Sequence, residues 1–276
     1  MSGTDTNDLV SEITQLPVQP GAAMRLLWML EDPRTSAADL GHLIESDPAL
    51  STQAIRLANT AFYGLSGKVS SAWRAVTVLG LATVRALSTT AAFDLFSEKG
   101  RSVPDEFWPH CVLTAASASA VARRVGLPGN DAFSVGLLHD LGSALVFRRA
   151  PRRYDTVLER LQGDDATTLV DAEREEFGIS HAEVGAAALG VMKFPTEFVN
   201  AVGTHHMPPQ TVDSLLGRVI IAADAVACVI EPVTESNCDP EIALAALGLP
   251  ADAAQSLVDE VKQDEENLSG FLSVGG

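Results

Sequence analysis

Apolar residues recur three and four positions apart along almost the whole chain, and no sustained two-residue alternation rich in β-branched residues interrupts them. The spacing predicts an all-α fold, with helices over 22–31, 37–46, 48–61, 71–79, 81–97, 105–125, 131–148, 152–162, 167–177, 181–192, 196–206, 212–230 and 252–263. Start signals agree with this pattern. Ser36 with Asp39 three residues on is a capping-box pair, Asp47 before Pro48 supplies an N-cap and a proline at the first helical position, and Ser71 opens a further run. Pro33, Gly64, Gly80 and Gly126 mark stops. Between 97 and 104, Glu98, Lys99, Gly100 and Arg101 break the periodicity with charge and glycine, which reads as a linker. It separates a helical subdomain at 15–100 from a second at 101–265, with polar tails expected at 1–14 and 266–276.

The informative positions are those where a polar residue stands in an apolar run. His139 and Asp140 follow Ser134-Val135-Gly136-Leu137-Leu138 and precede Leu141-Gly142, and Asp224 follows Val219-Ile220-Ile221-Ala222-Ala223. Buried polar groups are costly unless something inside the fold satisfies them. Glu106 and His110 are four apart and share a helix face. His181 and the pair His205-His206 complete the set, which holds five of the six histidines. Any one of these histidines alone is most simply a core or surface residue satisfied by a hydrogen bond. Together they read as one site for divalent metal. Imidazoles mixed with carboxylates suit Fe, Mn, Zn or Ni, and one carboxylate can bridge two ions ~3.5–4 Å apart.

Composition narrows the function. The chain has 276 residues, 46% of them hydrophobic, enough for a large interior, and a formal charge of −17. So acidic a surface repels phosphate backbones, so direct nucleic-acid binding is not expected. Cys111, Cys228 and Cys238 are odd in number and lack a CxxC spacing; with the first two in apolar helical runs, they indicate buried thiols in a reducing cytoplasm. The polar first ten residues do not form a secretory leader, and the apolar run Val219 to Ile230 is broken by Asp224, so membrane insertion is not expected either. Against this acidity, Arg148, Arg149, Arg152 and Arg153 form a basic cluster, either a helix C-terminus or a place for a phosphate.

Several segments resemble the HDOD family, the signalling branch of the HD superfamily. The specific part lies in the first half: Leu16-Pro17-Val18-Gln19-Pro20, Asp47-Pro48-Ala49-Leu50-Ser51, Arg56 to Gly64, and Ala75-Val76-Thr77-Val78-Leu79-Gly80. The second half is HD-like at Phe107 to His110, Gly136 to Gly142, Phe177 to Gly185 and Ala201 to His206. The resemblance implies an N-terminal helical subdomain packed on an HD-like bundle, and a role in bacterial signal transduction through a protein partner or a nucleotide. Compared with the related HD-GYP phosphodiesterases, Glu106, His110, His139, Asp140, His181, His205, His206 and Asp224 match metal ligands. Ser143 stands where those enzymes carry a phosphate-holding lysine, and Met207-Pro208-Pro209-Gln210 replaces their Gly-Tyr-Pro segment. Ser143, Arg148 and Arg149 therefore mark the expected phosphate or ligand side. In the first half, Asp47-Pro48, Asn59 and Gly64 have structural roles in prospect, while exposed Trp28, Phe62 or Tyr63 would anchor a partner. Two functions follow as expectations: a binding module with a retained metal site and little or no turnover, or a metal-dependent phosphohydrolase.

Overall fold

In the computed structural model the marked helix starts are capped as their residues require. Ser36 and Asp39 close a reciprocal capping box, the Asp47 carboxylate accepts from the Leu50 amide, and Ser71 accepts from the Arg74 amide. The described residues are 21–65, 67–93, 103, 107–163, 168–231, 239–250 and 252–272, and no strand occurs among them. They form two compact units, one within Lys99–Asp259 and one within Pro17–Glu98 and Glu260–Gly276.

In the second of these units, α1 (Ala22–Met29), α2 (Ala37–Glu45) and α3 (Pro48–Ala58) pack on α4 (Ala72–Ala92). Leu26, Ile44, Leu57 and Leu79, one from each helix, are fully buried at the centre; each such side chain contributes roughly 1.5–3 kcal/mol by leaving water. Gly80 ends one helical run and begins another. Its φ of 76° is left-handed, so the two expected helices are two segments of α4 meeting at a kink. By length and composition α4 could cross a membrane, yet 61% of its most apolar stretch is buried, so its apolar face serves this core. Asn59 ties α3 to the segment before α4: its Nδ2 donates to the Val69 carbonyl at 2.6 Å and its Oδ1 accepts from the Val69 amide at 2.8 Å.

The other unit is built around α5 (Phe107–Arg124). Ala115, Ala116, Ala118 and Ala120 are buried along it, and such short side chains let α6 (Gly129–Leu138) and α12 (Leu215–Ile230) lie close. A Cβ on Gly136 of α6 would come within 2.7 Å of the Ala115 Cα. After α7 (Leu141–Arg149) and α8 (Pro151–Gly163) come α9 (Leu169–Phe177), α10 (His181–Val191) and α11 (Thr196–Gly203), then α13 (Pro240–Ala245) and α14 (Ala253–Leu272), of which only the part up to Asp259 belongs to this unit.

Several expectations are corrected. The single helix over 131–148 is two, α6 and α7, separated at His139-Asp140, where Asp140 leaves the helical region with φ −98° and ψ 17°. The helix over 196–206 ends at Gly203, so His205 and His206 lie in the turn beyond it. α13 begins at a capped Asp239-Pro240 that periodicity over so few residues did not reveal, and the helix over 252–263 runs on to Leu272. Of the basic cluster, Arg153 is structural: it binds Glu176 at 2.8 Å and covers the Phe177 ring at 4.6 Å.

Candidate metal centre

Helix ends bring the chemistry together. Neighbouring residues of a regular helix point about 100° apart; the break between α6 and α7 frees Asp140 from that constraint, so it and His139 face one centre. Gly142 lets the first turn of α7 approach the first turn of α10, since a Cβ there would lie 1.9 Å from the His181 carbonyl oxygen. His181 is the first residue of α10, behind a Ser180–Glu183 capping box. His205 and His206 follow α11, while His110 on α5 and Asp224 on α12 supply the remaining wall.

Asp140 stands between two groups of histidines. Its Oδ2 is 3.2 Å from His139 Nε2 and 3.7 Å from His110 Nε2. Its Oδ1 is 3.3 Å from both His181 Nε2 and His205 Nε2. On the first side, Asp224 Oδ1 lies 3.1 Å from His110 Nε2 and 3.9 Å from His139 Nε2. On the second, His206 Nε2 lies 2.9 Å from His181 Nε2. All are buried except His206, which is half-buried.

The surrounding groups decide which nitrogen carries a proton. His139 Nδ1 donates to the Gly136 carbonyl at 2.7 Å, His205 Nδ1 to the Val202 carbonyl at 2.6 Å, and His181 Nδ1 to Glu173 Oε2 at 2.7 Å. In the neutral imidazoles this leaves Nε2 of all three as a bare lone pair. These lone pairs face other acceptors: His181 and His205 Nε2 are 3.2 Å apart, as are His110 and His139 Nε2. Asp140 Oδ1 is buried and accepts no well-directed hydrogen bond. Converging imidazole nitrogens and carboxylate oxygens fit a cation on either side of Asp140.

Ionisation agrees. Burial opposes the charge on Asp140 and Asp224, but neighbouring imidazoles outweigh it and hold both carboxyls below their usual range. Burial pushes the His205 and His206 imidazoles down, which keeps them in the neutral, ligating form. His181 differs: burial pulls it down, yet the Glu173 and Asp140 carboxylates raise it well above the ordinary value. Metal at its Nε2 would displace a proton.

The buried carboxylate of Glu173 was not anticipated. It holds both the backbone amide and Nδ1 of His181, each at 2.7 Å. Among Asp171, Glu173, Glu175 and Glu176 it resembles one more solvated charge, but Leu169 and Phe177, four before and four after it, are both buried. That spacing marks its face as internal. Cys228 departs from the expected buried thiol: it is half-buried and donates to Asp224 Oδ1 at 3.8 Å. Glu106 lies outside the described residues, as does Cys238. Ser143 is buried in α7 with no hydrogen bond to its Oγ, and Arg148 and Arg149 are exposed at the far end of that helix. A cavity of about 470 Å³ opens on His205, His206 and Asp224, with Arg174, Met207 and Ile242 also in its wall; those three expected ligand residues do not line it.

Similar proteins share this architecture. A provisionally named phosphohydrolase of Shewanella amazonensis superposes with a TM-score of 0.76 at 22% identity over 97% of this chain and 98% of its own. An HDOD domain protein of unknown function from Geobacter sulfurreducens gives 0.70 at 24% over 98% and 96%. An uncharacterised protein of Treponema pallidum is 24% identical over 73% of this chain, which spans 39% of that relative's length. The family model of the HDOD domain matches residues 16–208, and the chain accordingly belongs to the HDOD family.

Proposed function

We propose that this HDOD domain holds a two-metal centre of the HD type and hydrolyses phosphoesters with it, as a cytoplasmic component of bacterial signalling. The observation that carries the reading is the division of Asp140 between two imidazole groups, one oxygen to each. His139, His110 and Asp224 would hold one metal, and His181, His205 and His206 the other. Two divalent ions held by these residues and Asp140 would supply Lewis acidity and charge neutralisation to a phosphoester. The chain's own residues do the rest. Glu173 fixes the His181 tautomer, the carbonyls of Gly136 and Val202 fix those of His139 and His205, and Arg174, in the cavity wall and paired with Glu183 at 3.3 Å, would turn its guanidinium to a phosphate oxygen. The likeness to the Shewanella phosphohydrolase supports this reading through its fold.

A second reading has its own support. Ser143 is buried and uncharged at the position of the phosphate-holding lysine, which favours a module that binds a nucleotide or a protein partner with metal present and turnover lost. Metal analysis and an assay on Mn- or Fe-loaded protein separate the two. The hydrolase predicts about two metals per chain and turnover of a generic phosphodiester, both lost in Asp140→Ala. Fully loaded protein that cleaves nothing in a broad phosphoester panel leaves the binding module.

A further inference from the structure

Cys228 stands where a ligand to one of the two metals would stand. It lies one turn beyond Asp224 on α12, on the same face of the helix. Its thiol donates to Asp224 Oδ1 at 3.8 Å, and the same oxygen is 3.1 Å from His110 Nε2. One donor atom from each of His110, Asp224 and Cys228 lies within 4.8 Å of the other two. Sulfur at ~2.3 Å and nitrogen or oxygen at ~2.0–2.2 Å from one ion stand roughly 3–3.7 Å apart, close to the two measured separations. His110 and Asp224 are buried there.

We propose that Cys228 is a thiolate ligand of the metal held by His110 and Asp224, a site selective for thiophilic ions such as Zn, Fe or Co over Mn or Mg. The inference rests on the two-metal reading and concerns one side of it. When the metal binds, the sulfur–hydrogen bond of Cys228 breaks, a sulfur–metal bond forms, and the proton leaves to solvent, with no change of oxidation state. The thiolate adds a negative charge and a soft donor to an otherwise nitrogen and oxygen set. Among the described residues, the side of Asp140 formed by His181, His205 and His206 groups no sulfur with its donors. The two positions therefore differ in the ion they prefer.

Cobalt(II) reports both claims in one spectrum. The full chain, loaded with Co(II), is compared with Cys228→Ser, which keeps the size of the side chain and leaves Cys111 and Cys238 in place. The expected result is a near-ultraviolet sulfur-to-cobalt charge-transfer band in the wild type that disappears in the variant, while the visible cobalt bands persist in both. Wild-type protein should also release one more proton than the variant on loading. Visible bands without the near-ultraviolet band, or a near-ultraviolet band that survives in Cys228→Ser, overturn the proposal and leave the two-metal reading intact. The absence of any cobalt spectrum removes the metal reading itself and the proposal with it.

Discussion

Glu173 shows how much one residue outside the ligand set can control. Its single oxygen holds the backbone and the ring of His181 at once, which sets both the direction of Nε2 and the nitrogen left bare. Groups in this position typically alter metal affinity 10–100-fold, and Glu173→Gln, which keeps the size but weakens the acceptor, is expected to lower affinity within that range. Competition against a chromophoric chelator measures it, and unchanged affinity would leave His181 oriented by packing alone. Gly142 acts through space rather than charge. Its hydrogen faces the His181 carbonyl where a methyl group cannot fit, so Gly142→Ala is expected to destabilise by about 3 kcal/mol or more and to cost metal occupancy, read by denaturant unfolding and metal analysis.

Among elements, the breaks matter more than the helices. His139, Asp140, His181, His205 and His206 all sit at or just beyond helix ends, where backbone direction changes and adjacent side chains can converge. In the other unit, Asn59 does the work of a short connection by bonding both backbone groups of Val69. Loss of two such bonds in Asn59→Ala should cost about 2 kcal/mol, seen as an earlier urea midpoint with an unchanged slope. A midpoint that does not move would show that water replaces the amide. The caps at Ser36, Asp47 and Ser71 were readable because an N-cap is a local rule between residues three apart. The break at His139-Asp140 was not readable, because the apolar pattern on its two sides has one phase and only contacts with α5 and α10 separate the segments.

At the scale of the whole molecule, a nearly dry cluster of imidazoles and carboxylates makes metal-free protein sensitive to pH. His205 and His206 are lowered from 6.5, so the unfolded chain takes up their protons first and stability falls as pH drops below 6.5. His181 is raised, so its contribution is complete below 6.5 and is lost as pH rises through its folded value. The metal-free protein should therefore be most stable near pH 6.5, with thermal melting falling away on both sides; a monotonic profile would contradict this balance. Bound metal at 100 times its dissociation constant would add about 2.7 kcal/mol, and the gain should shrink as pH falls because protons compete for Nε2. The sequence alone determined the all-α class, most helix starts and the residues of the cluster, because periodicity, capping and polar interruptions of apolar runs are local properties. Only the tertiary structure decided that Asp140 lies between two imidazole groups, that Glu173 turns inward to His181, and that Cys228 meets Asp224 and His110. Those contacts join residues as far as 118 positions apart, His110 to Cys228, and depend on which helix faces a small-residue core brings together, which no local pattern encodes.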